Sequence, residues 1–203
     1  MQQEIEEHLS QQPQEAQAKP SRRVGDIVAM VVMIVLSVIL IPIFAINLTL
    51  IIKGSVNQSV PPDVFGIAPL AVTSPSMNGD REDSFDEGAL IFVHILDDEE
   101  KQSLQVDDIV TFRAADGAYV THRIVAVNRD EGGDLQSVTT RGDANDVTDG
   151  SIPLSNVVGR MQGSVAGLGE FAMFLQTPVG ILVFIGVPVL LFIAYDVTRI
   201  GLY

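Results

Sequence analysis

The stretch TSPSMNGD, residues 73–80, sets Ser74 and Ser76 on either side of a proline, directly after an apolar run. A serine hydroxyl is a weak nucleophile until a base takes its proton. Lysine is a poor candidate here. Lys101 follows Asp97, Asp98, Glu99 and Glu100, and four acids favour its charged form, which a Ser–Lys dyad cannot use. Lys53 abuts an apolar run and Lys19 lies beyond it. Two histidines remain, His94 in IFVHIL and His122 in VTHRIV. In a strand, side chains alternate, so Val120, His122 and Ile124 share one face while Thr121 and Arg123 share the other. A rigid strand would fix the His122 ring, although a histidine between Val and Ile is also an ordinary packed residue. His94 has no comparable polar setting. A neutral imidazole needs an acid to hold its tautomer. TTRGDANDVTDGS offers Asp143, Asp146 and Asp149, and spacing does not choose among them.

These residues lie in a segment of short strands and turns. GALIFVHIL (88–96), DIVTFRA (108–114), AYVTHRIVAV (118–127), DLQSVTTRG (134–142) and SNVVGRMQGSV (155–165) are rich in β-branched residues. Turn signals separate them, including Asp116-Gly117 and the run from Asp130 to Asp134. This spacing predicts an all-β barrel or sandwich. Segment 97–107 reads as a charged connection, and 167–177 as a helical or interfacial lead into the next apolar run.

Two stretches lack any charge: Ile27 to Ile46, and Pro178 to Tyr195. Crossing a bilayer core takes about 20 apolar residues of helix, with a range of roughly 17–25. Both qualify. The first exceeds the core of a cleaved signal peptide and is preceded by a tail, so it reads as a retained anchor. Lys19, Arg22 and Arg23 precede it and Lys53 alone follows it closely, which puts the N-terminus in the cytoplasm. The expected organisation is a disordered cytoplasmic tail (1–23), a transmembrane anchor (24–53), an extracytoplasmic β domain (54–174), and a second transmembrane helix with a short tail (175–203).

SPSM, then a glycine and ALIFV, then DIVTFR, VTHRIV and RGDANDVTD, resemble the type I signal peptidases in the same order. The likeness is to their endoplasmic-reticulum and archaeal branch, which also occurs in Gram-positive bacteria, and it runs from about Leu70 to Gly180. It implies Ser76 as nucleophile, His122 as general base, Asp149 as the triad acid, Asp143 in support, and Ser74 as a donor to the oxyanion. Asp146 stays a rival to Asp149. The chain departs from the family where SMNGDREDSFDEG lacks the usual proline and carries extra acids, and where GDAN and TD replace G-D-N-N and D-D.

The resemblance implies a mostly β fold: a small barrel-like peptidase domain flanked by two transmembrane helices, at the plasma membrane. The implied activity is removal of signal peptides from translocated preproteins through an acyl-enzyme, with no cofactor and no metal. The other reading is a catalytically inert, membrane-tethered β scaffold or adaptor. The partners expected are preproteins and the lipid bilayer; partner subunits are not specified. The formal net charge is −14, and residues 54–177 hold twenty acidic against seven basic side chains, which excludes the basic footprint of a nucleic-acid binder. The chain has no cysteine, so disulfides and thiol chemistry are excluded as well.

Overall fold

The structure, a computed structural model, describes residues 24–56 and 60–200. The expected tail (1–23), with Lys19, Arg22 and Arg23, lies outside the described residues, as does the C-terminus after Ile200. The chain divides into two compact units, Met1–Ala45 and Ile46–Tyr203.

Helix α1 spans Val24–Val56, through Pro42. Its large side chains are exposed around the whole circumference, Val38 and Ile41 among them. A helix that is apolar on every side must be covered by protein or by lipid. Within Ile27–Val56 the most apolar 18-residue window has a mean hydropathy of 3.2, and protein buries none of it. By length and composition it can cross a membrane.

Seven antiparallel strands follow: β1 (Ile67–Ala71), β2 (Leu90–Ile95), β3 (Ile109–Arg113), β4 (Tyr119–Arg129), β5 (Leu135–Arg141), β6 (Ser151–Pro153) and β7 (Val157–Val165). Their order is β1-β2-β7-β3-β4-β5-β6, so β1 and β6 end the sheet. The mostly β expectation holds. The five expected strands are present with ends shifted by a residue or two. β1 and β6 were not expected, since IAPLA carries a proline and SIP is three residues long. Bulges interrupt the β2–β7, β3–β7 and β4–β5 pairings and increase the local twist.

Alternation along the strands feeds two apolar clusters. Val110 and Phe112 join Leu96, Leu104, Ile124, Leu135, Val138 and Val157. Ile109 joins Ala68, Met77, Phe85, Ala89, Ile91 and Val93. The charged connection contains one helical turn, α2 (Asp98–Gln102). Asp97 accepts from the Glu100 N–H at 2.8 Å while Glu100 accepts from the Asp97 N–H at 3.0 Å, a reciprocal capping box.

The 167–177 lead is helix α3 (Leu168–Leu175). The second apolar stretch follows it as one unbroken run of α4 (Pro178–Ile181), a π turn (Leu182–Gly186) and α5 (Val187–Ile200). Among the described residues one helix alone is long and apolar enough to cross a membrane; α3 with Pro178–Ala194 passes only as a joined pair bent by 80°. The bend has a local cause. Pro178 has no N–H to continue α3. Thr177 donates its hydroxyl to the Phe174 carbonyl at 2.7 Å and accepts from the Gly180 N–H at 3.0 Å, which ends one helix and starts the next.

Met77 is fully buried in the second cluster, one residue after Ser76. Met77→Ala is expected to lower the unfolding free energy by about 2–5 kcal/mol, read as a shifted denaturant midpoint of the full chain in detergent.

Candidate active site

Strand β4 supplies the centre of the site. Its pairing with β3 runs without a break from Tyr119 to Arg123, which sends His122 to one face and Arg123 to the other. His122 is 5% exposed, and its ring stands edge-on to Phe112, with centroids 6.3 Å apart. Both ring nitrogens are engaged. Nε2 lies 3.0 Å from Ser76 Oγ, and Nδ1 lies 2.7 Å from Asp149 Oδ2. Ser74 Oγ is 3.1 Å from Ser76 Oγ.

The protons in this chain follow from donor counting. A carboxylate only accepts, so Nδ1 carries the hydrogen directed at Asp149. In the neutral ring Nε2 then has a free lone pair, and the Ser76 O–H can donate to it. The Ser76 oxygen is left to accept from the Ser74 O–H. The arrangement can therefore take the proton of Ser76 as that oxygen attacks, which is the geometry of a serine activated by an oriented imidazole.

Asp149 is held by Thr140 of β5. The Thr140 hydroxyl donates to Asp149 Oδ2 at 2.7 Å, and the Asp149 N–H donates to the Thr140 carbonyl at 2.8 Å. Thr140 is fully buried, so the clasp is dry on its side, while the Asp149 side chain keeps 24% exposure. The Ser76 loop is pinned on two sides. Its carbonyl accepts from the Ala144 N–H at 3.0 Å, and the Met77 carbonyl accepts from the Phe85 N–H at 3.1 Å. The close approach of the Ser76 carbonyl and the His122 ring leaves no room for a side chain at Gly142. A Cβ there would meet the Ser76 carbonyl, and His122 Nε2 at 3.0 Å.

Arg123 organises the opposite face. It is 2% exposed and donates to both oxygens of Asp143, at 2.9 and 2.7 Å, and to both oxygens of Asp83, each at 2.8 Å. It also donates to the Asp107 carbonyl at 3.1 Å. Ser84 donates to Asp143 at 2.7 Å. These bonds, first to Asp143 and then to Asp83, raise the guanidinium further above its usual range. Burial pushes the Asp143 carboxyl up, but the hydrogen bonds of Arg123 and Ser84 outweigh it and the net direction is down. Asp83 is also lowered, chiefly by its hydrogen bond to Arg123.

Of the residues singled out in the sequence, Ser74, Ser76, His122 and Asp149 converge on one hydrogen-bonded chain. Asp143 turns to Arg123 instead. Asp146 is exposed, and Asp149 is the acid that reaches Nδ1. His94 pairs with Glu100 at 3.0 Å and Lys101 with Asp98 at 3.5 Å, both on the charged connection. Thr140, Arg123, Asp83 and Gly142 escaped the sequence reading. The one signal for Arg123 was a charged residue in mid-strand; Asp83 was hidden in an acidic run that reads as solvated surface.

Asp143 has a folded pKa below its unfolded value, so its stabilisation is complete above the unfolded value of about 3.9 and fades as pH falls through the folded one. Breaking such a buried pair costs about 3–5 kcal/mol. Asp143→Asn is therefore expected to destabilise the protein by that order at pH 7. The gap to wild type should narrow as unfolding is measured from pH 5 down to 3.

No family model matches the chain. Over 111 residues it is 36% identical to signal peptidase I W of Bacillus subtilis (strain 168), a stretch covering 55% of this chain and 54% of that protein. The chain thus spans about half the length of the curated relative it matches.

Proposed function

We propose that this chain is a membrane-anchored serine endopeptidase of the type I signal peptidase kind, in its Ser-His-Asp form, and that it removes signal peptides from translocated preproteins. The observation that carries the reading is the Ser76–His122–Asp149 chain, with links of 3.0 and 2.7 Å. The similarity to signal peptidase I W supports it.

In this reading Ser76 Oγ attacks the scissile carbonyl as His122 Nε2 takes its proton. Asp149 stabilises the imidazolium. The Ser76 N–H and the Ser74 O–H stabilise the oxyanion. The imidazolium returns the proton to the leaving amine, and the acyl-enzyme is hydrolysed by a water that His122 deprotonates in turn. An extended substrate pairs with the free edge of β1, the strand that leads into Ser74 and Ser76. Helix α1 and the bent α3–α5 segment anchor the domain (54–174) at the outer face of the plasma membrane, with the N-terminus inside. This places the site where a translocated signal sequence presents its cleavage point. Small residues before the cut are what the family likeness implies.

The test is cleavage of a preprotein in liposomes or detergent. Ser76→Ala and His122→Ala should each reduce turnover by roughly 10⁵–10⁶, and Asp149→Asn by about 10⁴. Ser74→Ala should cost about 10²–10³. Cutting that survives Ser76→Ala would sink the nucleophile assignment; no cutting by any form would favour an inert scaffold.

Thr140 acts through Asp149. A hydrogen bond to a charged group contributes about 1.5–3 kcal/mol. Thr140→Val, close in shape, should thus lower kcat roughly 10–100-fold with little change in KM, while Thr140→Ser should retain most of the rate.

A further inference from the structure

The first turn of the β domain runs against local preference. Val64 and Ile67 exchange backbone hydrogen bonds of 2.9 and 3.1 Å, closing a two-residue turn over Phe65 and Gly66. Both central residues have positive φ, +53° at Phe65 and +80° at Gly66. This is the type I′ pattern, which favours Asn-Gly. Glycine suits its position. Phenylalanine does not, because its Cβ crowds the following carbonyl in the left-handed conformation. Packing within the protein gives nothing in return, since Phe65 is 99% exposed.

The turn is nevertheless held firmly. Asp63 accepts from Lys53 Nζ at 2.9 Å through one carboxylate oxygen, and from the Gly66 N–H at 2.9 Å through the other. The Ile95 N–H donates to the Gly66 carbonyl at 2.9 Å. Lys53 lies in the last turn of α1. The exposed ring is thus tied by one ion pair to the end of the helix that can cross a bilayer.

We propose that Phe65 is a second membrane anchor, whose ring enters the boundary between headgroups and acyl chains of the bilayer that α1 spans. The inference rests on reading α1 as a membrane anchor. Lipid is the occupant that fits. A specific protein interface takes about 800 Å² on each partner, whereas a single ring beside a lysine matches a layer reached at a depth of roughly 5–10 Å. Two attachment points, the end of α1 and Phe65, restrict tilting of the sheet. They set the height of β1, which begins at Ile67 and leads to Ser74 and Ser76.

The chain contains no tryptophan, so Phe65→Trp introduces a single fluorescent reporter. The full-length variant is placed in phosphatidylcholine vesicles with and without lipids brominated near the top of the acyl chain. Blue-shifted emission quenched by the bromines is expected. Water-like, unquenched emission would overturn the proposal. Blue-shifted but unquenched emission would also overturn it, by showing that protein covers the ring. Phe65→Asn separates function from folding: the turn preference predicts an unfolding midpoint in detergent equal to or above wild type, and a marked drop would show that the ring packs inside the protein. Preprotein cleavage in the same vesicles is scored separately. Quenching without cleavage would leave the anchor standing and count against the peptidase reading.

Discussion

Arg123 is bonded at once to Asp143, Asp83 and the Asp107 carbonyl, and it lies almost wholly out of water. A buried guanidinium is costly unless its donors are satisfied. Here satisfaction draws three separate segments together: the loop after Ser76, the turn before β3 and the loop after β5. Remove the cation and those segments lose their common partner, leaving a carboxylate buried without compensation. The positions of Ser76 and Asp149 follow from that closure, because each belongs to a segment that Arg123 ties down.

Strand parity links the structural face to the chemical one. His122 and Arg123 are adjacent in sequence and point to opposite sides of β4. The 142–149 loop wraps round so that Asp143 meets Arg123 while Asp149 meets His122. His122 and the Thr140 clasp sit on strands, whose pairing limits their movement. Ser76 and Asp149 sit on loops, which are secured by the buried Met77, by the Ala144 N–H on the Ser76 carbonyl and by the absence of a side chain at Gly142. Rigid parts thus orient the imidazole, and pinned loops deliver its partners.

The exposed apolar parts follow a different logic. Among the described residues every buried side-chain polar atom has a hydrogen-bond partner, whereas the most apolar window of α1 is left uncovered by protein. The Phe65 turn belongs with the second set. It accepts an unfavourable backbone conformation at a position that presents an aromatic ring outward.

Local chemistry legible in the chain determined the strand-rich middle, the apolar helix at its start and the serine–histidine pairing, because alternation, hydropathy and side-chain type are properties of short stretches. It also singled out Ser74, Ser76 and His122; spacing left Asp143, Asp146 and Asp149 equivalent, since three acids spaced three residues apart differ only in where their loop turns, and the family likeness favoured Asp149. The tertiary structure set Asp149 rather than its rival Asp146 against the imidazole, and it alone decided that Asp143 neutralises Arg123 and that Thr140 holds Asp149. Each of those pairings spans from nine to twenty-seven residues of chain. The 80° bend at the head of the second apolar stretch was not legible in hydropathy either. Hydropathy sums over a window without regard to direction, whereas the Thr177 and Pro178 junction sets the angle at which one helix leaves the other.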